Sequence, residues 1–152
     1  MGLFGFNAQR EVDQWLASIQ SQVEFELGKL IREPLPKGAA ILDFELHHNP
    51  RWDEFPVVCY PMDRSAGQCG FIKFYSVSGL PATVVEAAAA KNAEDRLASS
   101  VTETLLKWFP ARWLAAGGQR AGIPAYLSNH DDIESLDLNT GKMIDSEEKW
   151  SE

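Results

Sequence analysis

Cysteine is scarce in this chain: Cys59 and Cys69 are two thiols among 152 residues. Their ten-residue separation is not a CxxC, so neither dithiol redox chemistry nor a zinc site is signalled. They stand symmetrically about Arg64, so a hairpin turning there would set them opposite one another, within reach of a cross-strand bridge. In a reducing compartment the expectation is two buried thiols.

Long apolar runs are also missing, which excludes a span of the bilayer by a hydrophobic helix. The start, "MGLFGFNAQREVDQW", lacks the basic and apolar regions of a leader. Gly2 is followed by Phe6 where a myristoylation signal wants Ser or Thr. These features predict a cytoplasmic protein. No GxSxG elbow, P-loop or GxGxxG occurs, and "AAGGQRAGIP" has neither the Lys-Ser/Thr nor the spacing of a phosphate loop. The expectation is a chain without a bound cofactor, leaning away from enzymes.

Basic residues are in deficit, 14 against 22 acids, for a net charge of −8. From Asp131 to Glu152 eight acids face two lysines, a local balance of −6. Such an end disfavours nucleic acid, whose binding rests on neutralising phosphates, and suits a basic protein surface or plain solubility. "GFIKFY" lacks the residue order of an RNA-stacking strand, so Phe71, Phe74 and Tyr75 are assigned to packing.

What is present is an ordinary globular composition, 45% hydrophobic and 24% charged, of a length that fits one domain over 1–152. Val12, Trp15, Leu16, Ile19, Val23, Leu27, Leu30 and Ile31 recur at three- and four-residue steps, predicting a long helix from about Ala8 to Arg32. "EPLPKG" stops it. "AAILDFELHH", "FPVVCYPM" and "CGFIKFYSV" read as three extended segments forming a meander, the last two joined by "DRSAGQ" as an antiparallel hairpin. Thr83 with Glu86 matches a capping box opening a second long helix, which Pro110 should end near Phe109. "ARWLAAGG" then predicts a short helix closed by Gly117 and Gly118. "AYLSN", "IESLDL" and "MID" are strands, with "NTGK" a turn between the last two. The fold expected is α+β: an antiparallel sheet, a meander of about three strands plus a C-terminal hairpin, with the long N-terminal and central helices on one face. Residues from about 145 to 152 read as an acidic tail.

"LSNHDDIESLDLNTGKMID" collects a histidine and five carboxylates between Leu127 and Asp145. An EF-hand frame from Asp137 puts Gly141 one place early and Lys142 at the glycine position, so it fails. The simpler reading turns Ile133, Leu136 and Leu138 to the core and Glu134 and Asp137 to water, with Asp137 and Asn139 capping the turn. His130, Asp131 and Asp132 sit in a loop, where functional residues often collect. Asp43, Glu45 and His47 share one strand face; His47 or His48 meeting His130 and Asp131 would make a metal or acid–base centre. "KWFPARW" brings Trp108, Phe109, Arg112 and Trp113 together, mostly as core, with any exposed Trp–Arg patch an interface candidate.

Three functions are compatible with this inventory. The first is a non-enzymatic module that binds, neutralises or regulates a basic partner protein through His130, Asp131, Asp132, Glu134, Asp137, Arg112 and Trp113. In size, charge and class such a chain resembles the bacterial immunity proteins that neutralise toxins; the resemblance covers no specific motif and carries over no residue. The second is a metal-assisted hydrolase built on His130, Asp131 and Asp132. The third is a small-ligand sensor with a pocket lined by Trp108, Trp113 and Tyr75. Partner, strand order and homo-oligomerisation are left open.

Overall fold

A computed structural model describes residues 6–47, 54–70, 72–78, 80–129 and 133–150. Helix α1, Phe6–Arg32, follows the three- and four-residue apolar stripe: Val12, Trp15, Leu16, Val23, Leu27 and Leu30 are buried. Lys29 and Arg32 in its last turn suit the negative end of the helix dipole. Strands β1 (Ile41–Leu46), β2 (Glu54–Met62) and β3 (Ile72–Ser78) form the expected antiparallel meander. Helices α2 (Ala82–Ala90) and α3 (Glu94–Ala115) follow, then a 3-10 turn at Gln119–Ala121. Strands β4 (Ala125–Asn129), β5 (Glu134–Asp137) and β6 (Met143–Asp145) come next, and a 3-10 turn, Ser146–Trp150, closes the described chain.

The class is α+β, but the sheet is mixed. Its order is β3-β2-β1-β4-β5-β6, and β4 lies parallel to β1. That corrects the all-antiparallel expectation. Parallel neighbours need a long crossover connection, and α2 and α3, between the meander and β4, supply it. The C-terminal hairpin β5–β6 forms as expected.

One face of the sheet meets all three helices. Leu42, Phe44 and Leu46 of β1, Phe55, Val57 and Cys59 of β2, and Leu127 of β4 join the helical side chains in a single core. At its centre Phe44 packs against the Phe109 ring at 5.4 Å and edge-on to Trp113 at 5.8 Å. This aromatic contact explains why α3 runs straight through Pro110, where the sequence predicts a stop. A proline inside a helix costs about 3 kcal/mol. Burial of Phe109 and Trp113 on either side, about 2–3 kcal/mol each, offsets that loss.

The central helix instead breaks at 91–93. Asn92 takes φ 51, and the amides of Asn92 and Ala93 close on the carbonyls of Ala89 and Ala88, a Schellman ending that asparagine tolerates. The Thr83–Glu86 capping box does not form either: Pro81 is the cap residue, and Thr83 Oγ1 donates to Glu11 Oε2 at 2.9 Å.

The β2–β3 turn settles the cysteines. Asp63 Oδ1 accepts from the amides of Ser65 and Gly67, tightening the loop, and Cys69 N–H reaches Pro61 O. Cys69 therefore lies opposite Pro61 while Cys59 lies opposite Ile72, so the expected Cys59–Cys69 register is off and both thiols are free. Among the described residues no helix is long and apolar enough to cross a membrane.

Candidate functional site

Strand alternation that buries Leu42, Phe44 and Leu46 sends Asp43, Glu45 and His47 to the opposite, outer face. Helices α1, α2 and α3 pack on the other face. Registered neighbours complete a row across four strands: Tyr60 of β2, Asp43 of β1, Tyr126 of β4 and Asp137 of β5. All four are half-buried, as are Glu45, His47 and Ser128. Glu45 Oε1 lies 3.4 Å from His47 Nε2.

The C-terminal 3-10 turn covers the middle of this row. Instead of trailing as an acidic tail, residues 146–150 fold back over the sheet and bury Lys149, whose Nζ is 2.8 Å from Asp43 Oδ2. Ser135, fully buried on the same face, shares a 2.8 Å hydroxyl contact with Ser146 at the root of the turn. Asp43 Oδ1 accepts no hydrogen bond among the described residues.

Electrostatics follow from this geometry. Burial pushes the Asp43 carboxyl above its ordinary range, and the hydrogen bond and charge of Lys149 draw it part of the way back. The phenols of Tyr60 and Tyr126 are raised, first by burial, then by Glu45 and Asp43 at Tyr60 and by Asp137 at Tyr126, with Arg64 pulling Tyr126 the other way. A tyrosine-bearing sheet face dominated by carboxylates is the result. Its chemistry suits contact with cations and hydrogen-bond donors.

The residues singled out from sequence are dispersed by the fold. Asp137 belongs to the outer face, where its Oδ1 also accepts from the amides of Asn139 and Thr140, the turn-capping role expected of it. Glu134 is exposed at the start of β5, beside the cleft that Leu106 and Leu127 line. Leu138 is buried as expected, but Ile133 is 77% exposed rather than core. His48, His130, Asp131 and Asp132 lie outside the described residues. Among the described residues no three His, Cys, Asp or Glu side chains are grouped to hold a metal ion.

Trp113 is fully buried and cannot meet a partner. Its Nε1 donates to Asn139 Oδ1 at 2.8 Å, while Asn139 Nδ2 donates to Ile123 O, tying α3 to the β5–β6 turn. Arg112 stacks 5.3 Å from the Trp108 ring and pairs with Glu24 of α1 at 3.0 Å, so it serves the helix layer. The side chain of Tyr75, the third residue of the sensor reading, is not described. A cleft of about 230 Å³ is lined instead by Leu106, Leu127, Ile133 and Met143 among others, and by neither Trp108 nor Trp113.

Sequence reasoning passed over Tyr60, Tyr126 and Lys149. Tyr60 and Tyr126 were legible in principle, since each flanks buried positions in its strand. Lys149 carried no signal, because its acceptor lies 106 residues away. Comparison with family models, with curated proteins and with solved structures finds no match to the chain. The fold and site therefore define it only by build: an α+β domain with a one-sided helical layer and an acidic, tyrosine-lined outer sheet face.

Proposed function

We propose that this chain is a non-enzymatic protein-binding module that neutralises or regulates a partner with a basic surface, as its general likeness to immunity proteins suggests. The outer sheet face is the contact surface. The row Tyr60–Asp43–Tyr126–Asp137, on the face opposite α1, α2 and α3 and crossed by the 3-10 turn at Asp43, carries this reading. Tyrosines supply contact area with a polar tip, and the surrounding carboxylates steer a basic partner and fix its register. Glu134, on the other face of β5, and His130, Asp131 and Asp132 stay as candidate contacts by their charge and polarity alone. Arg112 and Trp113 are no longer among them.

Affinity capture with the full chain tests this proposal. Partners held at low salt should be released as salt screens the contact, since screening acts most strongly on exposed charge pairs. The double variant Glu45→Gln, Asp137→Asn should lose the same partners while staying folded, since asparagine keeps the Oδ1 that caps the turn. Capture that is indifferent to both salt and variant would refute the outer face as the contact surface.

A further inference from the structure

The outer face carries a cation that its strands do not supply. Lys149 comes from the 3-10 turn Ser146–Trp150 and lies 6% exposed, its ammonium 2.8 Å from Asp43 Oδ2. Hydrogen bonds anchoring this turn gather at its first two residues among the described ones. Ser146 N–H reaches Ile133 O at 2.8 Å, Ser146 Oγ meets Ser135 Oγ, and Glu147 N–H reaches Asp145 Oδ1 at 3.0 Å. Beyond that root, the ion pair ties the turn to β1, with the ammonium also 5.3 Å from the Trp150 ring. The seat beneath is shaped for an ammonium: Asp43 between Tyr60 and Tyr126, with Glu45 one step along β1 and a second carboxylate oxygen that is buried without a hydrogen-bond partner among the described residues.

We propose that residues 146–150 form an exchangeable strap, in which Lys149 occupies the place on Asp43 that a lysine of the basic partner takes on binding. The strap swings out about Ser146 as the partner's side chain enters. This inference rests on the reading of the outer face as the contact surface, and narrows it to one seat. Exchange of ammonium for ammonium keeps Asp43 paired throughout, so it avoids the heavy cost of a bare, mostly buried carboxylate. Charge selects the occupant: Asp43, Glu45 and Asp137 favour a cation, and a slot already filled by a slender lysine stem accepts another.

A short capped peptide of alternating lysine and alanine serves as the probe, with its glutamate–alanine counterpart as the control. Peptide binding to the wild-type chain should speed hydrogen exchange at the Ser146 and Glu147 amides about tenfold while β1 amides stay protected. Lys149→Met, which takes the competing ammonium off Asp43, should bind the peptide about tenfold more tightly. Adding Asp43→Asn to it should abolish that gain. Peptide binding that Asp137→Asn weakens, with strap exchange and Lys149→Met affinity both unchanged, overturns the strap and leaves the face standing. Absence of binding to wild type and Lys149→Met alike overturns both. Where Lys149→Met fails to fold, the exchange measurement on the wild-type chain decides.

Discussion

Lys149 Nζ sits 2.8 Å from Asp43 Oδ2, closing an ion pair across 106 residues of chain between a central strand and the C-terminal turn. Side-chain exposures of 7% and 15% place the pair largely out of water. Breaking a buried pair from one side costs about 3–5 kcal/mol, and replacing both partners is often close to neutral. Lys149→Met is expected to lose about 2–3 kcal/mol, the lower figure reflecting the residual exposure of Asp43. The double variant Asp43→Asn, Lys149→Met should recover more than half of that in urea unfolding. Additive losses would show that the two side chains do not depend on one another.

Stability should depend on pH through Asp43. Burial, the larger cause, lifts its carboxyl above 3.8 in the folded chain. The protonated form is thus the one the fold prefers. The resulting contribution to stability is complete below pH 3.8 and is lost as pH rises through the raised pKa. The unfolding free energy of the wild type minus that of Asp43→Asn should fall from acid toward neutrality; a difference that climbs with pH would contradict this.

Two adjacent glycines should respond in the order opposite to their backbone angles. Gly117 has φ +93, and alanine there costs about 1–2 kcal/mol. Gly118 has an ordinary φ of −57, yet a Cβ on it would collide with the buried indole of Trp113. Gly118→Ala is expected to cost at least 3 kcal/mol or prevent folding, as overpacking at its upper range does. Thermal melts of both variants check the order.

Asn139→Ala should leave the buried Trp113 N–H and the Ile123 carbonyl without their partner, at a cost of about 2 kcal/mol. Urea unfolding reads the loss, and the folded variant should keep Trp113 packed edge-on against Phe44. A loss below about 0.5 kcal/mol would deny the tie between α3 and the β5–β6 turn its structural weight.

The thiols should separate cleanly. Cys59 is buried, and burial with the nearby Asp43 charge pushes its thiol up to about 12. Cys69 is partly exposed. A disulfide reagent at neutral pH is expected to label Cys69 alone in the native chain and both after denaturation. Rapid native labelling of Cys59 would count against the packing of β2.

Local pattern revealed most of the elements and few of the meetings between them. Helix α1, the meander and the β5–β6 turn were legible because a period of 3.6 or 2 and a turn residue are properties of neighbours in sequence. The passage of α3 through Pro110 was not, because what overrides the proline is Phe109 and Trp113 packing on Phe44 of a distant strand. The same holds for the site. Alternation alone placed Asp43, Glu45 and His47 on one face. The parallel β1–β4 pairing that sets Tyr126 and Asp137 beside them, and the fold-back that brings Lys149 to Asp43, are decisions of topology.

Neutralising the outer face decides whether it is where a basic partner docks. Equilibrium binding of the lysine–alanine peptide to the wild-type chain and to Glu45→Gln, Asp137→Asn, measured at low salt, should differ by about three- to tenfold, since each exposed charge pair contributes about 0.2–1 kcal/mol. The gap should close as salt is added. Equal affinity of the two chains at low salt, with both folded, would mean that the carboxylates of this face do not receive the cation.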